Sequence, residues 1–177
     1  DAEEYLVSPS VVDGREMLSI VKERRFDELP DFMSAAAQKA YVTVTSTPHG
    51  QLCDIVVDEA CLEAMLAFAA EAFDDAMTEY AQTFVLCADL KTLHRSMKTG
   101  KSKGFMETAV CPLPMFDKAE IIDAALSGED SFFSYLCEHG MADFAEAMKN
   151  SPSAFEKYCD DRIMKIKKKA KYTAFGI

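Results

Sequence analysis

Apolar residues recur every three or four positions along much of the chain, a spacing typical of amphipathic helices. The clearest run extends from Asp58 to Leu93 and predicts one long helix. Its apolar positions, between which most of the acidic residues fall, are Leu62, Leu66, Ala69, Phe73, Met77, Tyr80, Phe84 and Cys87. Gly100 and Gly104 flank the basic end of this run and predict that the helix stops there.

Capping signals predict where other helices begin. Asp117, followed three residues later by Glu120, forms an acidic variant of the capping box. Ser151-Pro152 supplies an N-cap and a first-turn proline before another amphipathic stripe, and Gly140 divides two shorter predicted helices. Two more helices are predicted near the N-terminus from two apolar groups, which are Met17, Leu18 and Val21, and then Leu29, Phe32 and Met33.

One short segment alternates like a β-strand. It runs from Tyr41 to Thr45, with valines and threonines in turn. Because a single strand has no partner to pair with, we predict an extended connector at this point. The predicted fold class is therefore all-α.

Two sequence elements recur in the same order, which indicates duplicated helical units. Residues 54–62 resemble 156–164 at an offset of 102, and the apolar positions within 17–32 resemble those within 121–136 at an offset of 104.

This repeat predicts the organisation of the chain. We predict an extended N-terminal segment at 1–13, a first helical unit at 14–116 and a second, truncated unit at 117–177. The helix of the second unit stops earlier than its counterpart, so the chain is predicted to be a fragment.

Charge is unevenly distributed along the 177 residues, whose formal net charge is -11. Residues 54–90 hold nine acidic residues and no Lys or Arg, residues 91–103 hold five basic residues and no acid, and the last 29 residues hold eight basic and three acidic residues. Such segregation is consistent with charge-complementary partners or with solvated helix faces, and the net charge argues against nucleic-acid binding. No segment resembles a signal peptide or a membrane span, which predicts a cytoplasmic protein.

Motifs that would indicate catalysis or a cofactor are weak. Thr99-Gly100-Lys101-Ser102 resembles the end of a P-loop but lacks its first glycine and its preceding strand. His49, His94 and His139 lack metal-ligand spacing, and the six cysteines contain no C-x-x-C pair. We predict reduced, mostly buried thiols, no metal and no cofactor.

Two segments carry a family resemblance. Asp89 to Arg95, with Lys98-Thr-Gly-Lys101, resembles a D-x-x-N-[IL]-x-x-x-x-R-x-K-x-G-K pattern that ends a long helix, although Leu86 and Asp89 stand where that pattern has Asp and Asn. Residues 155–162 and 169–176 resemble E-x-x-x-D-x-x-[IL] followed by A-K-x-x-x-F-G. In this order the motifs resemble the C subunit of bacterial and archaeal V/A-type ATP synthases, the equivalent of the d subunit of the eukaryotic vacuolar ATPase, over most of residues 14–177.

The resemblance implies a funnel of repeated helical units that is seated on the cytoplasmic face of the membrane. It implies a non-catalytic coupling subunit, whose partners are the D and F subunits of the central stalk and the membrane rotor ring. Arg95, Lys98, Lys101 and Lys103 are the candidate partner-binding residues, although cations at a helix end also match the helix dipole. The alternatives are a generic cytoplasmic helical adaptor and an uncharacterised helical enzyme.

Overall fold

The computed structural model of the chain describes residues 4, 6–10, 12–46 and 50–173, with side chains to residue 171. Within these ranges it contains no strand, and the predicted all-α class is confirmed. The helices are α1 Gly14–Glu23, α2 Asp31–Ser46, α3 Gly50–Glu71, α4 Asp75–Lys98, α5 Lys103–Ala109, α6 Lys118–Ser127, α7 Glu129–Glu138, α8 Ala142–Asn150 and α9 Pro152–Thr173, with a 3₁₀ turn at Phe26–Glu28. None of the helices in the described ranges is long and apolar enough to cross a membrane.

The predicted helix starts are confirmed by their capping hydrogen bonds. The Asp117 carboxylate accepts a hydrogen bond from the backbone N–H of Glu120 at 3.0 Å and starts α6. The Ser151 hydroxyl accepts one from the backbone N–H of Ala154 at 3.0 Å, just before α9 begins. Gly140, with a φ of 75°, separates α7 from α8 as predicted.

The single long helix predicted from Asp58 to Leu93 is wrong, because the chain breaks between α3 and α4. Phe73 adopts a left-handed conformation with a φ of 51°. Asp74 then caps α4 by accepting hydrogen bonds from the backbone N–H groups of Ala76 and Met77 at 2.8 and 3.0 Å. The apolar period continues across the break and hides it, yet Phe73 is 97% exposed and belongs to no core.

The extended connector predicted at Tyr41–Thr45 is also wrong, because these residues form the end of α2. The hydroxyls of Thr43 and Thr45 each donate a hydrogen bond to the carbonyl four residues earlier, both at 2.8 Å. These bonds place the threonine hydroxyls on the helix itself, so the β-branched alternation is compatible with a helix here.

The chain divides into two compact units, residues 1–61 and 62–177, with α3 spanning the division. The first unit has a small core of Ile20, Phe26 and Leu29. In the second unit α4 packs against α5, α6 and α9, while α7 packs against α6 and α8. Its fully buried side chains include Val85, Leu90, Leu93, Ile121, Ile122, Phe132 and Leu136.

Helices at equivalent positions of the sequence repeat have equal lengths. Both α1 and α6 have 10 residues and begin 104 positions apart, at Gly14 and Lys118. Both α3 and α9 have 22 residues and begin 102 positions apart, at Gly50 and Pro152. The expectation that the helix of the second unit stops earlier than its counterpart is wrong, because the break after Glu71 leaves α3 no longer than the described part of α9. The division into units at 14–116 and 117–177 stays a prediction.

Candidate partner-binding surfaces

The four basic residues predicted to bind a partner lie at the end of α4 and the start of α5. Lys98 forms an ion pair with Glu129 at 3.5 Å, and Lys103 forms one with Asp123 at 2.5 Å. Lys101 lies over the ring of Phe105, with 4.9 Å between its Nζ and the ring centroid. Three of these four side chains are therefore engaged within the chain, and their charge is partly neutralised before any partner arrives.

Arg95, the remaining member of the predicted set, is exposed in the last turn of α4. It lies close enough to Glu156 on α9 to contribute to lowering the pKa of that carboxyl. The main cause of this lowered pKa is Lys91, whose Nζ lies 2.6 Å from Glu156 Oε1. The structure thus brings the predicted residues to one end of α4, next to acidic residues from α6, α7 and α9.

Glu129 forms the centre of a small charged cluster that joins α4 to α7. Its Oε1 lies 3.2 Å from His94 Nε2 and 3.5 Å from Lys98 Nζ. These contacts, the His94 hydrogen bond most of all, hold the pKa of the Glu129 carboxyl below its ordinary value. The Glu129 carboxylate lies in the first turn of α7, and the Lys98 ammonium group lies in the last turn of α4. Each charge therefore also interacts favourably with the dipole of its own helix. The cluster therefore stabilises helix packing.

A second basic surface lies on α9. We use the name α9 lysine face for the exposed side chains of Met164, Lys165, Lys168 and Lys171. None of the three lysines forms an ion pair with any residue in the described part of the chain. Met164 is 48% exposed and adds an apolar patch to this charged surface. The α9 lysine face thus keeps its positive charge available for a partner.

Two further lysines of α9, Lys167 and Lys169, lie on the side of the helix that faces α4. Lys169 Nζ lies 3.8 Å from Glu79, and Lys167 Nζ lies 5.1 Å from the centroid of the Tyr80 ring. The sequence alone does not distinguish these lysines from the others in α9, because Glu79 and Tyr80 are far away along the chain. The contacts on α4 separate lysines that support packing from those that remain outward-facing.

An acidic cleft lies at the start of α4, beside α9. It has a volume of about 560 Å³, and its lining includes Phe73, Asp74, Asp75 and Glu79 on one side and Ile166 and Lys169 on the other. Its acids lie on the α4 side and Lys169 lies on the α9 side, so charged groups of both signs line the cleft. Surfaces of this kind can orient a partner more readily than they can perform chemistry.

Residues that could carry chemistry have structural contacts instead. The Thr99 hydroxyl donates to the Arg95 carbonyl at 2.8 Å, and the Ser102 hydroxyl accepts from the Phe105 N–H at 3.3 Å, so the P-loop-like segment serves as helix caps. His94 pairs with Glu129, His139 stacks on Tyr135 with 3.9 Å between ring centroids, and His49 lies outside the described residues. Within the described ranges, no three or more His, Cys, Asp or Glu residues are grouped to hold a metal ion.

The six thiols are free but only half of them are buried. Cys87, Cys111 and Cys159 are buried, Cys53 is intermediate, and Cys61 and Cys137 are exposed. The prediction that most of the thiols are buried is wrong, and the prediction that they are reduced stays a prediction. The sequence does not show which helical cysteines are exposed, because no neighbouring residue marks those positions.

Comparison with protein families identifies the family to which the chain belongs. The model of the family described as ATP synthase (C/AC39) subunit matches residues 1–177. Comparisons with curated protein sequences and with solved structures found no match. The family match covers both compact units and all nine helices of the described ranges.

Proposed function

The chain belongs to the ATP synthase (C/AC39) subunit family, and from this premise we propose that it is a non-catalytic coupling subunit of a V/A-type rotary ATPase or ATP synthase. In this role it would link the D and F subunits of the central stalk to the membrane rotor ring on the cytoplasmic face of the membrane. The single observation that carries the proposal is the family match over residues 1–177.

A coupling subunit has physical requirements that this chain can meet. It must transmit torque without bending, and long helices packed side by side resist bending. In the second unit, α4 with 24 residues packs against α9 with 22 residues. It also needs charged surfaces that set the orientation of its partners, and it needs no nucleophile or perturbed acid.

We further propose that the α9 lysine face contacts an acidic surface of a neighbouring subunit. Lys165, Lys168 and Lys171 keep their charge, whereas Lys98 and Lys103 pair with Glu129 and Asp123. This makes the α9 lysine face a stronger candidate than the predicted set of Arg95, Lys98, Lys101 and Lys103. Of that set, Arg95 is the member that we expect to reach a partner.

The duplicated helical units also belong to this proposal. The equal lengths of α1 and α6, and of α3 and α9, support units at 14–116 and 117–177. Repetition of one helical unit is an economical way to build a socket with several similar walls.

The experiment that tests the proposal is co-elution of the full-length protein with the purified D–F stalk at several salt concentrations. We expect binding that weakens with salt, because screening reduces attraction between exposed charges. No binding at any salt concentration would overturn the proposed link to the stalk. A generic adaptor would bind other proteins and not the stalk.

A matched pair of variants tests the α9 lysine face. Lys165→Gln/Lys168→Gln removes two charges from it, and Arg15→Gln/Lys22→Gln removes two exposed charges from α1 as the control. We expect the first variant to weaken binding to the assembled ATPase about 10-fold and the control to change it less than about 2-fold. Equal effects of both variants would contradict a specific role for this face.

A further inference from the structure

Two cysteines meet in a groove between α4 and α9. The groove has a volume of about 390 Å³ and is lined on the α4 side by Phe84, Cys87, Ala88 and Lys91, and on the α9 side by Phe155, Glu156, Cys159, Asp160 and Ile163. Each of the two cysteines is 7% exposed, so both are buried in the packing and still reach the groove wall. A small solute that enters the groove can therefore reach the sulfur atoms.

The two thiols lie in the same part of the helix packing. Cys87 on α4 and Cys159 on α9 belong to one buried core and line one groove, although 71 residues separate them in sequence. Lys91 and Glu156 form an ion pair across the same two helices, with 2.6 Å between Nζ and Oε1. Cys87 lies one helical turn before Lys91 on α4, and Cys159 lies about one turn after Glu156 on α9. The ion pair and the helix packing hold the two cysteines at this groove.

The two thiols differ in character. The hydrogen bond from Cys159 lowers the pKa of Cys87, and the nearby charge of Arg162 acts in the same direction. The same hydrogen bond, together with burial, raises the pKa of Cys159. Because a thiolate is the reactive form of cysteine, the lower pKa would make Cys87 the nucleophile of the pair and Cys159 the thiol that reacts second.

We propose that Cys87 and Cys159 form a redox-modification site, at which a hydroperoxide oxidises the two thiols to a disulfide that links α4 to α9. The observations that carry this inference are the positions of the two cysteines on opposite walls of one groove and their burial in one core between packed helices. It does not depend on the proposed coupling function.

The chemistry proceeds in two balanced steps. The Cys87 thiolate attacks one oxygen of hydrogen peroxide, the O–O bond breaks, and the products are Cys87 sulfenic acid and hydroxide. The Cys159 sulfur then attacks the Cys87 sulfur, the S–O bond breaks, and the thiol proton leaves with the hydroxyl group as water. The two sulfurs lose two electrons, which reduce the peroxide, and a dithiol reductant reverses the result.

The disulfide would change the mechanics of the second unit. It would join two of its longest helices covalently, at the middle of α4 and about a third of the way along α9. Non-covalent contacts now hold α4 and α9 together, and the disulfide would fix the two helices to each other. The groove between them would narrow as the sulfur atoms move into bonding distance.

The experiment uses the full-length protein, reduced and then treated with increasing hydrogen peroxide. Free thiols are blocked by alkylation, and peptides are analysed by mass spectrometry without reduction. We expect a cross-linked peptide pair that contains Cys87 and Cys159, lighter by two hydrogen atoms and restored by dithiothreitol. We expect it at peroxide doses that leave the exposed Cys61 and Cys137 mostly alkylated.

Single variants separate the roles of the two sulfurs. In Cys159→Ser, Cys87 should accumulate as sulfenic acid that a dimedone probe traps, whereas in Cys87→Ser, Cys159 should remain a thiol at the same dose. The control Cys61→Ser/Cys137→Ser should still form the cross-link, and circular dichroism checks that each variant is folded. The site is overturned if peroxide oxidises the exposed cysteines first, or if folded wild-type protein yields no Cys87–Cys159 peptide.

Discussion

The Asp89 carboxylate accepts a hydrogen bond from the backbone N–H of Cys111 at 3.1 Å, and both residues are fully buried. Asp89 lies in α4, and Cys111 lies in the segment that joins α5 to α6. This bond therefore connects the central helix of the second unit to a segment that has no helical hydrogen bonds of its own.

Replacing Asp89 should destabilise the second unit. Asp89→Ala leaves the buried N–H of Cys111 without its acceptor, and we expect the free energy of unfolding to fall by about 2–3 kcal/mol. Asp89→Asn keeps an acceptor oxygen and should lose less. Urea unfolding of both variants measures the difference, and equal losses would show that the hydrogen bond to Cys111 is unimportant.

The cap of α9 provides a second stability test. The Ser151 hydroxyl accepts the hydrogen bond from Ala154, so Ser151→Ala should lower the free energy of unfolding by about 1 kcal/mol. Ser153→Ala, at an exposed position inside the first turn, is the matched control and should change stability by less than about 0.5 kcal/mol. Thermal melting of the two variants distinguishes loss of the capping hydrogen bond from a general effect of replacing serine with alanine in this turn.

The break between α3 and α4 predicts an unusual stabilising substitution. Phe73 is 97% exposed and has a φ of 51°, a conformation that costs a residue with a side chain about 1 kcal/mol but suits glycine. We expect Phe73→Gly to raise the free energy of unfolding by about 0.5–1 kcal/mol and Phe73→Ala to leave it nearly unchanged. A glycine variant that is less stable than the alanine variant would contradict a left-handed Phe73.

Local signals predicted the helical fold well because their causes are local. The caps at Asp117 and Ser151 depend on a backbone N–H only three residues away. The break at Phe73 was missed because the apolar period runs through it and only Asp74 signals a new start. Residues 41–45 were mistaken for extended chain because the valine–threonine alternation outweighed the helical context on their N-terminal side.

The candidate site was less predictable, since its properties depend on distant residues. The basic end of α4 was recognised from sequence, but Glu129 and Asp123, which pair with Lys98 and Lys103, follow after 31 and 20 residues. The placement of Cys87 and Cys159 in one groove has no sequence signal at all, because it depends on how α4 packs against α9.

The Glu129 cluster predicts a pH dependence. His94 and Lys98 lower the pKa of Glu129 from its ordinary value near 4.5, so its carboxylate stabilises the fold above that value. As pH falls below about 4.5 and through the lower folded-state pKa, this contribution is lost. Glu129→Gln should therefore be less stable than wild type at pH 6, and the difference should narrow toward pH 3.

An NMR titration identifies the cause of the shift. The Glu129 side-chain carboxyl should titrate below the ordinary glutamate value in wild type and closer to that value in His94→Ala. Lys98→Ala should give a smaller change, since the His94 hydrogen bond is the larger cause. A wild-type Glu129 that titrates at its ordinary value would show that the cluster is not formed in solution.

We propose that this member of the C/AC39 subunit family couples ATP chemistry to ion movement. The most direct measurement is ATP-driven ion transport into vesicles that contain the rotary ATPase assembled with and without the full-length protein. ATP hydrolysis by the catalytic part is followed in the same samples. We predict that omission abolishes ion transport while hydrolysis continues, and that adding the protein back restores transport. Transport at the full rate without the protein would contradict the account.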